Sequence, residues 1–326
     1  ILKRGVLLMC GQRLLKAIGS TEASIELLNY LKSESMRARS LSELSGTLRR
    51  LVPEIMSLRP SSAFLENTLR ELLIRLIERK VKDVEEGREC VARFINEVIN
   101  RARRISNEVA IIGSKRVADG DVILTHSYST TVINLLLRAK NEGKRIHVYV
   151  TESRPGGEGL TTAEILSKNG IPVTLIVDSA VRYVMKDIDK VIVGAEAIAV
   201  NGAVVNKVGT SALALIAKEA RVRVYVASGT YKFKPETVFG ELVRGTIITE
   251  PNEVLPPQAD EELKRRIKVL APLFDVTPPE YIDAIITEKG LIAPQAVPVL
   301  IREIFSWPPQ VPSLDELLKK LGGMYG

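Results

Sequence analysis

The chain has 326 residues, 45% of them hydrophobic and 26% charged, with a formal net charge of +7. A chain of that length and apolar content buries a full core and is expected to divide into two domains. No apolar run approaches the roughly 20 residues that cross a bilayer, and Val6-Leu7-Leu8-Met9-Cys10 is too short for a signal-peptide core, so a cytoplasmic protein without membrane contact is expected.

The N-terminal third reads as helices. Ser40 and Glu43 form a capping box ahead of Leu41, Leu44, Leu48 and Leu51, which share one face at helical spacing. Pro53 and Pro60 are expected to interrupt or end this helix. A longer helical pattern follows from about Ala63 to Arg104, with Leu65, Leu69, Leu72, Leu73 and Leu76 on its apolar side and Gly87 as a break. The charge surplus lies here: residues 1 to 104 carry 20 Lys and Arg against 13 Asp and Glu, while the remainder is balanced at 26 of each. Arg37, Arg39, Arg49, Arg50, Arg101, Arg103 and Arg104 contribute to it. Without interleaved aromatic residues or a nucleic-acid-binding module, the basic surface reads as solvated helix, and nucleic acid is not an expected partner. Cys10 and Cys90 have no metal-ligand spacing and read as buried apolar residues, so neither a metal nor another cofactor is expected.

After Ser106 the periodicity changes. Short β-branched runs appear at Val122-Ile123-Leu124, Ile146 to Val150, Val173 to Val177, Val191-Ile192-Val193 and Val222 to Val226. Helical stretches lie between them, at Thr131 to Lys140, Thr162 to Lys168 and Ala212 to Ala220. Strand, helix, strand in this order predicts an α/β fold, with an N-terminal helical bundle (1–105) followed by a Rossmann-like, mostly parallel sheet domain (106–326).

In such a sheet, ligands bind beyond the carboxyl ends of the strands, and the distinctive polar residues stand there. Thr125-His126-Ser127-Tyr128-Ser129-Thr130-Thr131 follows the first run and leads into a helix, where hydroxyls and backbone N–H groups either meet phosphate or merely cap the helix. His126 is either a satisfied structural histidine or part of the site. Thr151-Glu152-Ser153-Arg154-Pro155-Gly156-Gly157-Glu158-Gly159 adds a guanidinium suited to bidentate phosphate binding on a turn that is not a dinucleotide fingerprint. Asp178 and Arg182 either pair with each other or line the crevice. Val191-Ile192-Val193-Gly194-Ala195-Glu196, followed by Asn206 and Lys207, reads as a buried strand ending in a carboxylate with an anion cradle beside it, against the alternative of an ion pair. Lys232, after the fifth run, is either a further point charge for the anion or an exposed lysine.

Five of these segments carry a resemblance: Thr125-His126-Ser127-Tyr128-Ser129, Tyr149 to Pro155, Val193-Gly194-Ala195-Glu196, Asn206-Lys207-Val208-Gly209-Thr210 and Phe274-Asp275-Val276-Thr277-Pro278-Pro279. They resemble the family of translation initiation factor 2B alpha, beta and delta subunits, which also includes ribose-1,5-bisphosphate and methylthioribose-1-phosphate isomerases. The resemblance spans about residues 105 to 305. It implies that Ser129, Thr130, Thr131, Arg154, Asn206, Lys207 and Lys232 bind substrate phosphates and hydroxyls. Arg59-Pro60-Ser61-Ser62 resembles an isomerase-type Arg-Pro turn and adds Arg59, whereas Ala17-Ile18-Gly19-Ser20-Thr21 replaces the expected Arg-Gly-Ala.

The resemblance also implies that Ser127 and Glu196 occupy the acid–base positions, where the isomerases carry cysteine and aspartate. A serine hydroxyl is a far weaker acid than a thiol, whose pKa of about 8.5 is readily tuned. The extra methylene of Glu196 displaces its carboxylate by roughly 1.5 Å, and a misplacement of about 1 Å costs on the order of 100-fold in rate. The expectation is therefore a non-catalytic, alpha-like regulator that binds a sugar phosphate or nucleotide, forms a homodimer and contacts initiation factor 2 or related subunits. The alternative is a divergent aldose–ketose isomerase that uses Glu196 with His126 or Ser127. Pro308-Pro309 and Pro312 precede Ser313-Leu314-Asp315-Glu316-Leu317-Leu318, a final helix capped by Ser313 and Glu316, whose leucines pack on their own chain or on a second subunit.

Overall fold

The computed structural model describes residues 19–238, 247–248, 254–255, 258–305 and 311–325; Val6 to Cys10, Ala17, Ile18, Pro308 and Pro309 lie outside the described residues. Among the described residues four helices come first: α1 (Ser20–Ser35), α2 (Leu41–Leu58), α3 (Ala63–Arg79) and α4 (Val84–Ser114). The Ser40 side chain accepts the Glu43 N–H at 3.1 Å and starts α2 as expected, while the Glu43 carboxylate takes the Arg39 N–H at 2.7 Å. Pro53 sits inside α2 without ending it, and the chain leaves the helix only at Arg59, before Pro60. Burial of Leu48, Leu51, Val52 and Ile55 around Pro53 offsets the hydrogen bond that its missing N–H forgoes.

The long pattern from Ala63 divides at 80–83, not at Gly87. Lys80 turns into the left-handed region with φ 49°, and Asp83 caps the next helix by accepting the Glu86 N–H at 2.9 Å. Gly87 has a packing role instead, because a Cβ there would stand 2.7 Å from the Leu44 side chain, so α4 and α2 meet closely at this point. Helix α4 runs through the boundary expected near residue 105 and packs on the sheet with Val109 and Ala110.

The sheet alternates with helices as the five runs predict. In chain order it comprises β1 (Val122–Thr125), α5 (Thr130–Asn141), β2 (His147–Thr151), α6 (Gly159–Lys168), β3 (Val173–Ile176) and β4 (Lys190–Val193). After the short strands β5 (Ala197–Ala199) and β6 (Val204–Lys207) come α7 (Thr210–Glu219), β7 (Arg223–Ala227) and β8 (Phe233–Lys234). The remainder is β9 (Ile247–Ile248), β10 (Ala271–Pro272), β11 (Phe274–Thr277), β12 (Ala284–Thr287), β13 (Gly290–Ile292), α8 (Val297–Phe305) and α9 (Leu314–Tyr325).

The seven-stranded sheet has the order β13-β12-β7-β4-β1-β2-β3, parallel except for β13. Successive strands run outward from β1 to β3 on one side and from β4 through β7 to β12 on the other. The reversal between β1 and β4 is the topological switch point, where a ligand crevice opens in folds of this type. Alternate strand residues point to opposite faces: Leu124, Val191, Val193, Val224 and Val226 pack with Leu213, Ala214 and Ile301, whereas Ile123, Val148, Val150 and Ile192 pack with Val132, Leu135, Leu136 and Leu166.

A second, four-stranded sheet of order β11-β6-β5-β8 has no counterpart in the sequence expectations. Its strands are two to four residues long, too short to leave a readable alternation. It stands beyond the carboxyl end of β4, with β6 antiparallel to both β5 and β11.

The final helix returns to the helical half of its own chain. Ser313 and Glu316 cap it reciprocally, at 3.2 and 3.0 Å, and Leu317, Leu318 and Leu321 join the core formed by Leu28, Leu48, Leu69, Leu72 and Phe94. Leu321 is only 1% exposed, so Leu321→Ala is expected to cost about 2–5 kcal/mol, read as a lowered urea midpoint with an unchanged slope.

Candidate functional site

The crevice at the switch point is built from the ends of β1, β2 and β4, from the small sheet and from one turn of the helical half. Beyond β1, His126 is buried and satisfied at both ring nitrogens: Nε2 lies 2.9 Å from the Val208 carbonyl and Nδ1 2.6 Å from the Thr151 hydroxyl. The carbonyl can only accept, so Nε2 carries the proton and Nδ1 accepts from Thr151. Burial pushes the His126 pKa down, holding the ring neutral. Ser127 follows in the left-handed region with φ 67°, its N–H donating to the Ser153 hydroxyl at 2.7 Å and its carbonyl accepting from Thr162 at 2.8 Å. A serine backbone held there is sparsely populated, and such positions concentrate at functional sites. Ser129 caps α5 by accepting the Val132 N–H, and Thr131 bonds Ser106 at 3.1 Å, which leaves Thr130 Oγ1 buried and without a hydrogen-bond partner.

Beyond β2, Asp178 does not pair with Arg182. Its two carboxylate oxygens accept the N–H groups of Ser153 and Arg154 at 2.8 and 2.7 Å, while Arg182 reaches Glu219 at 3.1 Å. The Arg154 guanidinium is turned outward onto the Val254 carbonyl at 2.7 Å and is not gathered with the other expected anion-binding groups. The loop instead sends in Glu158, whose Oε1 meets Lys207 Nζ at 2.8 Å with both side chains largely buried.

Beyond β4, Gly194 permits the approach of the two strand ends on either side of the switch point. A Cβ there would stand 2.6 Å from Ser129 Oγ. Glu196 is 2% exposed, and its N–H joins the small sheet through the Val205 carbonyl at 2.8 Å. Its Oε2 receives Arg59 Nη2 at 3.1 Å, while Oε1 is buried with no hydrogen-bond partner. Arg59 arrives from the turn between α2 and α3, so the Arg-Pro turn expected to contribute does reach the site. Lys232, in the turn before β8, donates to the Ala195 carbonyl at 2.7 Å. Burial lowers its pKa to about 8, against the opposing attraction of Glu196 and with a further push from Arg59.

At the end of β6, Asn206 donates to Thr210 Oγ1 at 3.1 Å, beside Lys207. Asp275 on β11 lies in register opposite Asn206 and accepts the Gly209 and Ser211 N–H groups at 2.8 and 3.2 Å at the start of α7. Burial pushes its carboxyl up to about 6, and the backbone bonds only partly oppose this. At the start of α1, Gly19 faces the Tyr128 ring, and Thr21 contacts the Tyr231 hydroxyl at 3.4 Å, so these two residues of the segment that replaces Arg-Gly-Ala reach the turns after β1 and β7.

The structure therefore sets Arg59 and Lys232 beside Glu196, Ser129 beside Gly194, Lys207 on Glu158 and Asn206 opposite Asp275, while Thr131 spends its hydroxyl on Ser106. Glu158 and Asp275 stood inside segments the sequence singled out, but nothing in their spacing announces a partner 49 or 66 residues away. Buried acceptors left unpaired are costly, about 1–3 kcal/mol each, so Glu196 Oε1, Glu158 Oε2 and Asp275 Oδ1 around three cations mark this crevice for a polar ligand. Among the described residues, no group of His, Cys, Asp and Glu has the geometry of a metal site.

Comparison with known proteins points the same way. A model of the initiation factor 2 subunit family matches residues 16–294. A ribose 1,5-bisphosphate isomerase from Pyrococcus furiosus is 42% identical over 279 residues, 85% of this chain and 86% of the relative. One of the same name from Methanocaldococcus jannaschii is 43% identical over 281 residues, covering 85% and 87%. Among solved structures, a translation initiation factor eIF-2B from Pyrococcus horikoshii superposes with a TM-score of 0.74 at 31% identity, over 88% of this chain and 96% of that one.

The expectation of a non-catalytic regulator is thereby overturned, because both of these isomerase-named relatives are more than 40% identical over most of the chain. Its physical basis was also incomplete. It weighed the replaced acid–base pair, Ser127 and Glu196, and not the burial that lowers the pKa of Lys232 beside Glu196 to about 8.

Proposed function

We propose, for a chain that belongs to the initiation factor 2 subunit family, that it is an aldose–ketose isomerase acting on a sugar bisphosphate of the ribose 1,5-bisphosphate type. The observation that carries this reading is Glu196: a carboxylate at the switch point, 2% exposed, with one oxygen on Arg59 and the other unpartnered. Lys207, Lys232 and the start of α5 with Thr130 supply donors for phosphate oxygens, and Asn206 supplies an amide for a sugar hydroxyl.

The chemistry asks little beyond these groups. Isomerisation opens the sugar ring, oxidises C2 from alcohol to ketone and reduces C1 by the same two electrons, so the redox change is internal to the substrate. The protein has to deliver a proton to the ring oxygen and accept the proton of the C2 hydroxyl, while the hydrogen on C2 passes with its two electrons to C1. We assign Glu196 the accepting role and the Ser127 hydroxyl, at the strand end across the switch point, the donor role, with the Lys232 ammonium on the Glu196 side. Arg59 keeps the Glu196 carboxylate oriented through one oxygen and leaves the other for proton transfer.

The direct test is conversion of ribose 1,5-bisphosphate to the ketose by purified protein. Ser127→Cys, which restores an acidic thiol, is expected to raise kcat about tenfold. Absence of ketose with folded wild-type protein and with Ser127→Cys would sink the isomerase reading.

A further inference from the structure

The turn that carries Lys232 is clasped from the helical half. Asn67 lies on α3, and its Nδ2 donates to the Phe233 carbonyl at 2.8 Å and to the Tyr231 carbonyl at 3.3 Å, the residues on either side of Lys232. The amide orientation is fixed from behind, because Asn67 Oδ1 accepts Arg70 Nη1 at 2.9 Å. Arg70 is itself buried, donating to the Pro312 carbonyl at 3.1 Å and pairing with Glu66 at 3.0 Å and with Glu236. Lys234 closes the ring of charges on Glu66. One turn before Asn67, Phe64 packs on the Tyr231 ring with centroids 4.8 Å apart.

We propose that Asn67 is a positioning residue for this site: its amide, bonded to the carbonyls flanking Lys232, fixes the turn that delivers the Lys232 ammonium to Ala195 and Glu196. Only an amide carries two N–H donors on one atom with an acceptor behind them. Aspartate would turn acceptors toward two carbonyls, and alanine would leave both without this donor. The lysine side chain has four rotatable bonds and takes its aim from the backbone, and a displacement of about 1 Å at a reacting centre costs on the order of 100-fold in rate. Besides Ala195, Lys232 is faced by Glu196 and Arg59; Glu66, Arg70, Lys234 and Glu236 surround Asn67 itself. The significance of this contact for turnover rests on the isomerase reading above, but the contact can be tested without it.

The test follows Lys232 directly, in protein labelled with ¹⁵N at the lysine side chains, with the Lys232 signal identified by its loss in Lys232→Met. Wild-type Lys232 is expected to titrate near 8. Asn67→Ala frees the turn, admits water to the ammonium and is expected to move the midpoint up toward the ordinary lysine range. The same variant is expected to lower affinity for ribose 1,5-bisphosphate about tenfold in the wild-type background and less than twofold in the Lys232→Met background. Asn67→Asp, equal in size, is the second variant if the alanine protein does not fold. A Lys232 midpoint unmoved in the folded variant, or an equal loss of affinity in both backgrounds, would overturn the proposal. Wild-type protein that makes no ketose while Asn67→Ala shifts the midpoint would refute the isomerase reading and leave Asn67 in its role.

Discussion

Exchanging Glu196 for glutamine is expected to lower kcat/KM for ketose formation by about 10³-fold, the middle of the range that a positioned general base contributes. Glutamine keeps the length of the side chain and a carbonyl oxygen for Arg59, so the buried contact at 3.1 Å can persist while the proton acceptor is gone. The stability cost should accordingly stay below the roughly 3–5 kcal/mol incurred when one member of a buried ion pair is removed outright. Steady-state kinetics and thermal melting on the same preparation separate the two effects. A glutamine protein that retains more than a tenth of wild-type kcat/KM would exclude Glu196 from proton transfer.

Lys232→Met should make the protein more stable and less functional at once. In the folded chain burial lowers the Lys232 pKa to about 8, while in the unfolded chain it returns to 10.5. Between those values the unfolded state binds more protons, so this residue's contribution to stability rises with pH, and at pH 7 its buried charge costs about 3 kcal/mol. Methionine removes that cost but also the hydrogen bond to Ala195, worth about 1 kcal/mol, leaving a net gain of about 2 kcal/mol at pH 7. The advantage should shrink as pH rises from 8 through 10.5. Denaturant titrations at pH 7 and pH 10 check the sign, and a methionine variant less stable than wild type at pH 7 would contradict it. Loss of the ammonium should weaken sugar-bisphosphate binding at pH 7 by about tenfold or more, and wild-type affinity should decline above pH 8 as the amine loses its proton.

The parallel sheet and the strand-end positions of Ser127 and Glu196 were legible in the sequence because short β-branched runs and the turns after them are local signals, whereas Asn206 and Lys207, though singled out, end a short strand that left no such signal. The helical half was legible in kind and misjudged in detail: Pro53 was tolerated where flanking leucines are buried, and the break fell at Lys80 and Asp83, where cap chemistry outweighed Gly87. What stayed hidden depends on pairing across long sequence distances. Asp178 could not be assigned to the Ser153 and Arg154 amides in preference to the nearby Arg182, nor Asn67 to carbonyls 164 and 166 residues away. The functional error had a similar origin, since residue identity at two positions could be read directly, whereas the burial that shifts Lys232 could not.

The Lys207–Glu158 contact makes anion capture an exchange. Lys207 already has the Glu158 carboxylate seated on it at 2.8 Å, an internal counterion from the loop after β2. On the proposed reading, a ligand phosphate that takes Lys207 competes with a counterion the chain itself supplies.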